Sequence, residues 1–101
     1  ETNFKIEGSS NYAFNLITKG ADLKYTERLM KKMNDNKIEF RRGSAGGGNQ
    51  LRQPYLIELF GDKYKDFPKV DHIHFHGFYI GNFPSLEKNK IKKLCEVLNS
   101  V

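Results

Sequence analysis

Several residue types that mark special protein classes are scarce in this chain. Cys95 is the only cysteine, which excludes an intrachain disulfide and favours a reducing, intracellular setting. No apolar run approaches the roughly 20 residues of a membrane-spanning helix, and the polar N-terminus lacks the basic-then-apolar pattern of a signal peptide. We therefore expect a cytoplasmic protein with no membrane partner.

The length and composition of the chain predict one small globular domain. Of 101 residues, 38% are hydrophobic, and eight Phe and five Tyr supply material for one modest core. The formal net charge is +5, which can attract the phosphates of nucleic acid or of a nucleotide sugar. Most basic residues are lysines on the polar faces of predicted helices, for which solubility is the simpler explanation.

Hydrophobic periodicity predicts three strands, at residues 11–18, 37–41 and 78–80. Residues 69–76 are compatible with either a helix or a strand. Together with the helices between them, these elements predict an α+β fold in the order β-α-β-α-(α)-β-α. A small, mainly antiparallel three-stranded sheet would carry the helices on its surface.

Helix boundaries are signalled by capping residues. Asp22 can cap a helix that runs to about Asp35, with Asn36 as a left-handed stop. A short helix is predicted at 55–60, and Ser85 is expected to cap the last helix, whose apolar stripe includes Cys95 as a small hydrophobe. The residues expected in one core are Phe14, Leu16, Leu29, Met33, Ile38, Phe40, Ile80, Leu94 and Leu98.

The segment from Arg41 to Pro54 is the most informative part of the chain. It reads Arg-Arg-Gly-Ser-Ala-Gly-Gly-Gly-Asn-Gln-Leu-Arg-Gln-Pro. Guanidinium groups match phosphate or carboxylate oxygens, and glycines let backbone N–H groups approach a ligand. No Gly-Lys-Ser/Thr follows, so the segment is not a P-loop. A surface loop with incidental charges explains the same composition, and both interpretations stay open.

A second candidate is the alternating run of His72, His74 and His76. On a strand the three imidazoles would share a face and could converge on a metal, whereas on a helix only His72 and His76 would lie one turn apart. Asp71 is the sole adjacent carboxylate and no cysteine is suitably spaced, so packing and capping roles are favoured and no metal site is expected. The aromatic residues fall mainly on core faces, which predicts no exposed stacking platform for bases.

Two sequence blocks resemble a known enzyme family. One is Gly47-Gly48-Asn49 followed by Arg52-Gln53-Pro54, and the other is the run from Gly77 to Asn82, Gly-Phe-Tyr-Ile-Gly-Asn, followed by Pro84 and an amphipathic helix. In this order they resemble the C-terminal region of DegT-type enzymes, which are fold-type I pyridoxal-phosphate sugar aminotransferases and dehydrases. The likeness is closest to the nucleotide-4-keto-6-deoxyhexose 3-dehydrases of lipopolysaccharide sugar synthesis, and it runs from about Tyr12 to the end.

The resemblance implies that the chain is one part of a larger enzyme. Residues 1–11 would be a lead-in from a missing large domain, and residues 12–101 the C-terminal small domain. The large domain of such enzymes holds pyridoxal phosphate and the residue that acts on it, which is Lys in aminotransferases and His in the dehydrase branch. The parent would be a homodimer acting on a nucleotide-linked sugar, and the isolated chain would be inactive and would bind no cofactor. Whether the parent aminates or dehydrates stays open.

The resemblance also implies a role for the arginine- and glycine-rich loop, which would face the substrate. Arg41, Arg42 and Arg52 would be oxygen or phosphate clamps, Asn49 a polar orienter, and Tyr79 and Asn82 further cleft-lining residues. Such groups position substrate, while the cofactor carries the chemistry. One departure is the stretch 44–46, Ser-Ala-Gly, which is smaller than the residues expected before the Gly-Asn pair and indicates a different sugar pocket.

Two other classes of function are alternatives to the interpretation of this chain as an enzyme domain. One is a stand-alone basic α+β module that binds RNA or DNA through the arginine- and glycine-rich loop and the lysine-rich helices. The other is a small-molecule-binding regulatory domain. The parent gene discriminates among them, because only the enzyme reading requires an upstream α/β cofactor domain.

Overall fold

The computed structural model describes residues 7, 8 and 10–101, so residues 1–6 and 9 of the predicted lead-in lie outside the described residues. The strands are β1 (Ala13–Ile17), β2 (Arg41–Arg42) and β3 (Gly77–Gly81). The α-helices are α1 (Leu23–Asp35), α2 (Pro54–Phe60), α3 (Pro68–His76) and α4 (Lys88–Asn99). The predicted α+β class and the predicted order of elements are confirmed.

The sheet has the strand order β1-β3-β2, and both pairings are antiparallel. Phe14 lies opposite Ile80, and Arg41 lies opposite Tyr79. The second strand is shorter than the predicted 37–41, because the chain is still completing the end of α1 there. The N–H of Ile38 donates to the carbonyl of Met33, which keeps it out of the ladder.

The capping residues of the two long helices agree only in part with the predicted ones. Asp22 caps α1 as predicted, since its carboxylate accepts from the N–H of Lys24 at 2.9 Å. The left-handed residue after α1 is Lys37, with φ +57°, and not Asn36. Ser85 does not cap α4 either, because the chain turns around Pro84 and the helix begins only after Glu87.

The core lies between the sheet and the helices α1 and α4. Its buried members are Leu29, Met30, Met33, Phe78 and Val97, and the half-buried residues packed against them are Leu16, Tyr25, Ile38, Phe40, Ile80 and Leu98. Most of the predicted core is confirmed, whereas Leu94 is half-buried and is absent from this cluster.

Two residues predicted on apolar faces are instead exposed. Phe14 is 37% exposed, because β1 is an edge strand and its side chains are covered from fewer sides than those of the central strand. Cys95 is exposed because α4 turns Val97 toward the core. Among the described residues, no helix combines the length and the apolar character that crossing a membrane requires.

Candidate functional site

The arginine- and glycine-rich loop leaves β2 and packs against the end of α3. Its first glycine, Gly43, donates its N–H to the carbonyl of Gly77 at 2.6 Å, and a Cβ at this position would collide with the carbonyl of Ile73. Gly48 has φ +55° and lies so close to His74 that a side chain would not fit. Two single-turn 3-10 helices, Ala45–Gly47 and Gln50–Arg52, carry the chain into α2. Glycine is therefore needed here for close packing within the domain.

Arg52 is turned onto α3 and forms a bidentate ion pair with Asp71. Its Nε and Nη2 donate to the two carboxylate oxygens at 2.7 and 2.6 Å. The guanidinium also lies over the rings of Tyr64 and Phe75, at 4.2 and 4.8 Å from their centroids. The hydrogen bonds from Arg52 lower the pKa of Asp71 to about 2, and the same pair raises the pKa of Arg52.

Asn49 is buried and completes this network. Its side-chain amide donates to Asp71 at 2.8 Å and to the carbonyl of Tyr64 at 3.3 Å, and its oxygen accepts from the N–H of Leu51. Its backbone N–H donates to Nδ1 of His74 at 3.0 Å, so that nitrogen carries no proton and the imidazole is neutral. Burial, followed by the charge of Arg52, lowers the pKa of His74.

The three histidines of the alternating run separate on α3. His72 and His76 stack with ring centroids 4.7 Å apart, which confirms the spacing expected on a helix, while His74 faces the loop. His76 is buried and hydrogen-bonds Thr26 at 2.8 Å, and His72 donates from Nε2 to the carbonyl of Thr18 at 2.7 Å. The described residues contain no group of three or more His, Cys, Asp or Glu side chains arranged to hold a metal ion.

A cleft of about 270 Å³ opens at the other end of the sheet. It is lined by Tyr12, Glu39, Phe40, Arg41, Tyr79, Gly81, Asn82 and Phe83. No hydrogen bond or ion pair within the described part of the chain engages the guanidinium of Arg41, in contrast to that of Arg52. The cleft therefore combines aromatic walls with an uncommitted cation and an amide side chain.

The six site residues predicted from the sequence fall into three places. Arg41, Tyr79 and Asn82 meet at the cleft. Asn49 and Arg52 do not line it and are bound to Asp71. The side chain of Arg42, the neighbour of Arg41 on β2, donates to the carbonyl of Phe75 at 3.3 Å.

Sequence reasoning missed Tyr12, Phe83 and Asp71. Tyr12 is 81% exposed and Phe83 49% exposed, which corrects the expectation that the aromatic residues lie mainly on core faces. The position of Phe83 directly after the Gly-Phe-Tyr-Ile-Gly-Asn block was the available signal for one of them. No local signal linked Asp71 to Arg52, because they are 19 residues apart.

Comparison with known proteins found no family model, no curated protein and no solved structure that matches this chain. The first of the two sequence blocks contacts the helix that leads into the second, since the N–H of Asn49 donates to Nδ1 of His74 on α3, and α3 runs directly into β3.

Proposed function

We propose that this chain is the C-terminal small domain of a pyridoxal-phosphate enzyme of lipopolysaccharide or deoxysugar biosynthesis, and that the enzyme aminates or dehydrates a nucleotide-linked sugar. The observation that carries the proposal is the proximity of the two family-like blocks. They are separate in sequence, yet the glycine-rich block packs on α3 and the second block forms β3, the strand that follows α3 directly. The parent protein is proposed to be cytoplasmic and homodimeric.

In this proposal the domain binds and orients substrate. Arg41 offers its donors to a phosphate or sugar oxygen, and Tyr79 and Asn82 line the same cleft. The glycine-rich loop is held against α3 by the hydrogen bonds of Asn49 and Arg52 to Asp71. Closing a domain over substrate excludes water and fixes the reacting groups, which lowers the entropic part of the barrier.

We propose that the pyridoxal-phosphate site of the parent enzyme lies mainly in the large domain. That cofactor is held through a lysine or faced by a histidine in such enzymes, and every described lysine is at least partly exposed. The most covered, Lys32, donates to the carbonyl of Ser100. When bound in the parent, the cofactor supplies the electron sink, and we assign its binding to the large domain.

The distribution of the exposed apolar side chains supports the proposal that this domain is part of a larger protein. Within the described part of the chain, more than half of the large apolar side chains that are exposed lie between residues 55 and 73, on α2, on α3 and just before α3. They include Tyr55, Leu59, Phe60 and Phe67. Such a concentration is typical of a surface that another part of a protein covers.

The test is to express the parent gene and the 101-residue chain side by side. The parent should retain a long-wavelength cofactor band after dialysis and should convert a nucleotide-linked 4-keto-6-deoxysugar, whereas the chain should do neither. A chain that retains a stoichiometric cofactor band, or a parent gene without an α/β cofactor domain, would overturn the proposal.

A nucleic-acid-binding module is the second candidate. The observation that favours it is that the exposed Tyr12 lines the same cleft as Arg41, whose guanidinium has no partner within the described residues, in a chain of net charge +5. Stacking on aromatic rings next to a cation is how single strands are commonly bound. Salt-sensitive, sub-micromolar binding of an oligonucleotide by the chain would favour this candidate over the enzyme domain.

A further inference from the structure

A second pocket, here called the apolar pocket, opens at the opposite end of β1 from the cleft. It encloses about 500 Å³, and none of the described residues lines both it and the cleft. Five apolar side chains from β1, β3 and the two long helices line it: Leu16, Ile17, Leu29, Phe78 and Leu98. Leu29 and Phe78 are core residues, only 3% and 4% exposed. The apolar pocket is therefore an opening onto the hydrophobic core.

The connection between β1 and α1 forms one rim of the apolar pocket and is held in place by hydrogen bonds. The N–H of Thr18 donates to the carbonyl of His76 at 3.2 Å, and the carbonyl of Thr18 accepts from Nε2 of His72 at 2.7 Å. The hydroxyl oxygens of Thr18 and Thr26 lie 3.2 Å apart, and that of Thr26 lies 2.8 Å from Nδ1 of His76. This rim is thus tied to both α1 and α3, which preforms the pocket.

The opposite wall is the end of α4, and it is fixed as well. Lys32 on α1 donates from Nζ to the carbonyl of Ser100 at 2.9 Å, close to the wall residue Leu98. Gly20 leaves the mouth open, because a Cβ built there would meet no atom within 4 Å. The volume lies within the range of about 300–1,000 Å³ that is typical of sites for small molecules.

The charged groups on the rim narrow the class of ligand. Lys19 is the basic side chain among the described lining residues, and Asp22 is the acidic one. The carboxylate of Asp22 accepts from the N–H of Lys24 at the start of α1, where the helix dipole balances its charge. Within the described part of the chain, the ammonium of Lys19 makes no hydrogen bond or ion pair. Its donors are therefore available to an anion.

We propose that the apolar pocket binds a small amphiphilic carboxylate, with an aliphatic tail on Leu29 and Phe78 and the carboxylate on Lys19. The tail, of roughly eight carbons, gains free energy because its methylenes leave water. A concave pocket suits a small molecule better than a partner protein, which buries a broad surface. The inference does not depend on the proposed function, since the described lining residues include none from the glycine-rich loop or the cleft.

The experiment titrates the 101-residue chain with octanoate below its micellar concentration and follows amide shifts by NMR. For a ligand of about ten non-hydrogen atoms we expect one saturable site with a Kd on the order of 1 mM. The largest shifts should fall at residues 16–20, Leu29, Phe78 and Leu98. Butanoate, with its shorter tail, should bind roughly a hundredfold more weakly or not measurably. Octan-1-ol and octylammonium keep the tail without the anion and should bind at least about fivefold more weakly.

Two variants test the contacts, each with a matched control away from the pocket. Lys19→Gln should weaken octanoate binding roughly fivefold or more, whereas Lys69→Gln, which changes an exposed lysine of α3, should leave it unchanged. Ile17→Glu should abolish binding, because it places a carboxylate in the apolar wall. Ile57→Glu is its control, since Ile17 and Ile57 are both 40% exposed and Ile57 lies on α2. The amide spectrum reports whether each variant is folded.

Each outcome decides the inference. Saturable octanoate binding that Lys19→Gln weakens and Lys69→Gln does not supports it. No shifts at up to about 10 mM octanoate, equal binding of octanoate and octan-1-ol, or octanoate binding by a folded Ile17→Glu variant would overturn it. The comparison of head groups uses the unaltered chain, so it decides the inference even where Ile17→Glu fails to fold.

Discussion

At the scale of single residues, Arg52 and Arg41 show how differently two arginines of one segment can act. Arg52 is about 30% exposed, with its donors on Asp71 and its plane over two aromatic rings. Arg41 is exposed and lines the cleft, and within the described residues its guanidinium makes no hydrogen bond or ion pair. Composition alone predicts the same role for both arginines. Their contacts distinguish them, because Arg52 holds the loop through Asp71, whereas the guanidinium of Arg41 is available to bind a ligand.

Replacing Arg52 with alanine should therefore destabilise the domain. Asp71 would lose a bidentate partner in a half-buried position, at a cost of about 2 kcal/mol in the free energy of unfolding. Urea denaturation measures the change, and Arg28→Ala, which removes an exposed arginine of α1, is the control. Equal midpoints for the two variants would show that the pair with Asp71 contributes nothing.

At the scale of elements, the glycine-rich loop packs closely against the junction of α3 and β3. Gly43 and Gly77 are joined by a backbone hydrogen bond, and a Cβ on either would press on the carbonyl of Ile73. Helix α3 runs directly into β3 here, and a side chain at either glycine would not fit against this carbonyl. The loop, the end of α3 and the start of β3 therefore form one unit.

Gly43→Ala should disrupt that unit. The added methyl would meet backbone atoms that cannot rotate away, so the free energy of unfolding should fall by about 2 kcal/mol or more. Gly20→Ala is the matched control, because a Cβ there meets open space, and its effect should stay within about 0.5 kcal/mol. Thermal unfolding of both variants measures the difference, and a Gly43→Ala protein as stable as the control would contradict the packing described here.

At the scale of the whole molecule, three titrating groups couple stability to pH. Burial is the main cause that lowers the pKa of His74 and of His76 below 6.5. Arg52, Asp71 and Arg42 act on His74, while His72, Asp22 and Arg42 act on His76. The unfolded chain takes up these protons first, so the histidines stabilise the fold above about pH 6.5 and progressively less as the pH falls below it.

The free energy of unfolding should accordingly decrease between pH 7 and pH 5, and again as Asp71 is protonated. The pKa of Asp71 is about 2, against 3.8 for the free side chain, so its contribution is present above pH 3.8 and is lost as the pH falls toward 2. Urea titrations across this range measure both stages. His76→Asn keeps a hydrogen-bonding group near Thr26 without a titrating ring and should flatten the first stage. Stability that rises from pH 7 to pH 5 would refute the linkage.

The identities of the elements followed from local sequence. Asp22 caps its helix as expected, and the alternation within β1 and the spacing within α1 placed Leu16, Leu29 and Met33 around the core. These signals work because caps and periodicity act within a few residues, where the backbone geometry is already set by neighbours. The glycine-rich block was likewise recognisable as a loop between a strand and a helix.

The contacts that give the site its character were decided by tertiary structure. Arg52 and Asp71 are 19 residues apart, and Asn82 reaches Asn11 across 71 residues. Such pairs form only when the sheet brings distant segments together, and their geometry decides which arginine is bound and which is free. The orientation of α4, which buries Val97 and leaves Cys95 exposed, has the same origin. The local apolar pattern of the helix is compatible with more than one buried face, and packing against the rest of the fold decides which face is buried.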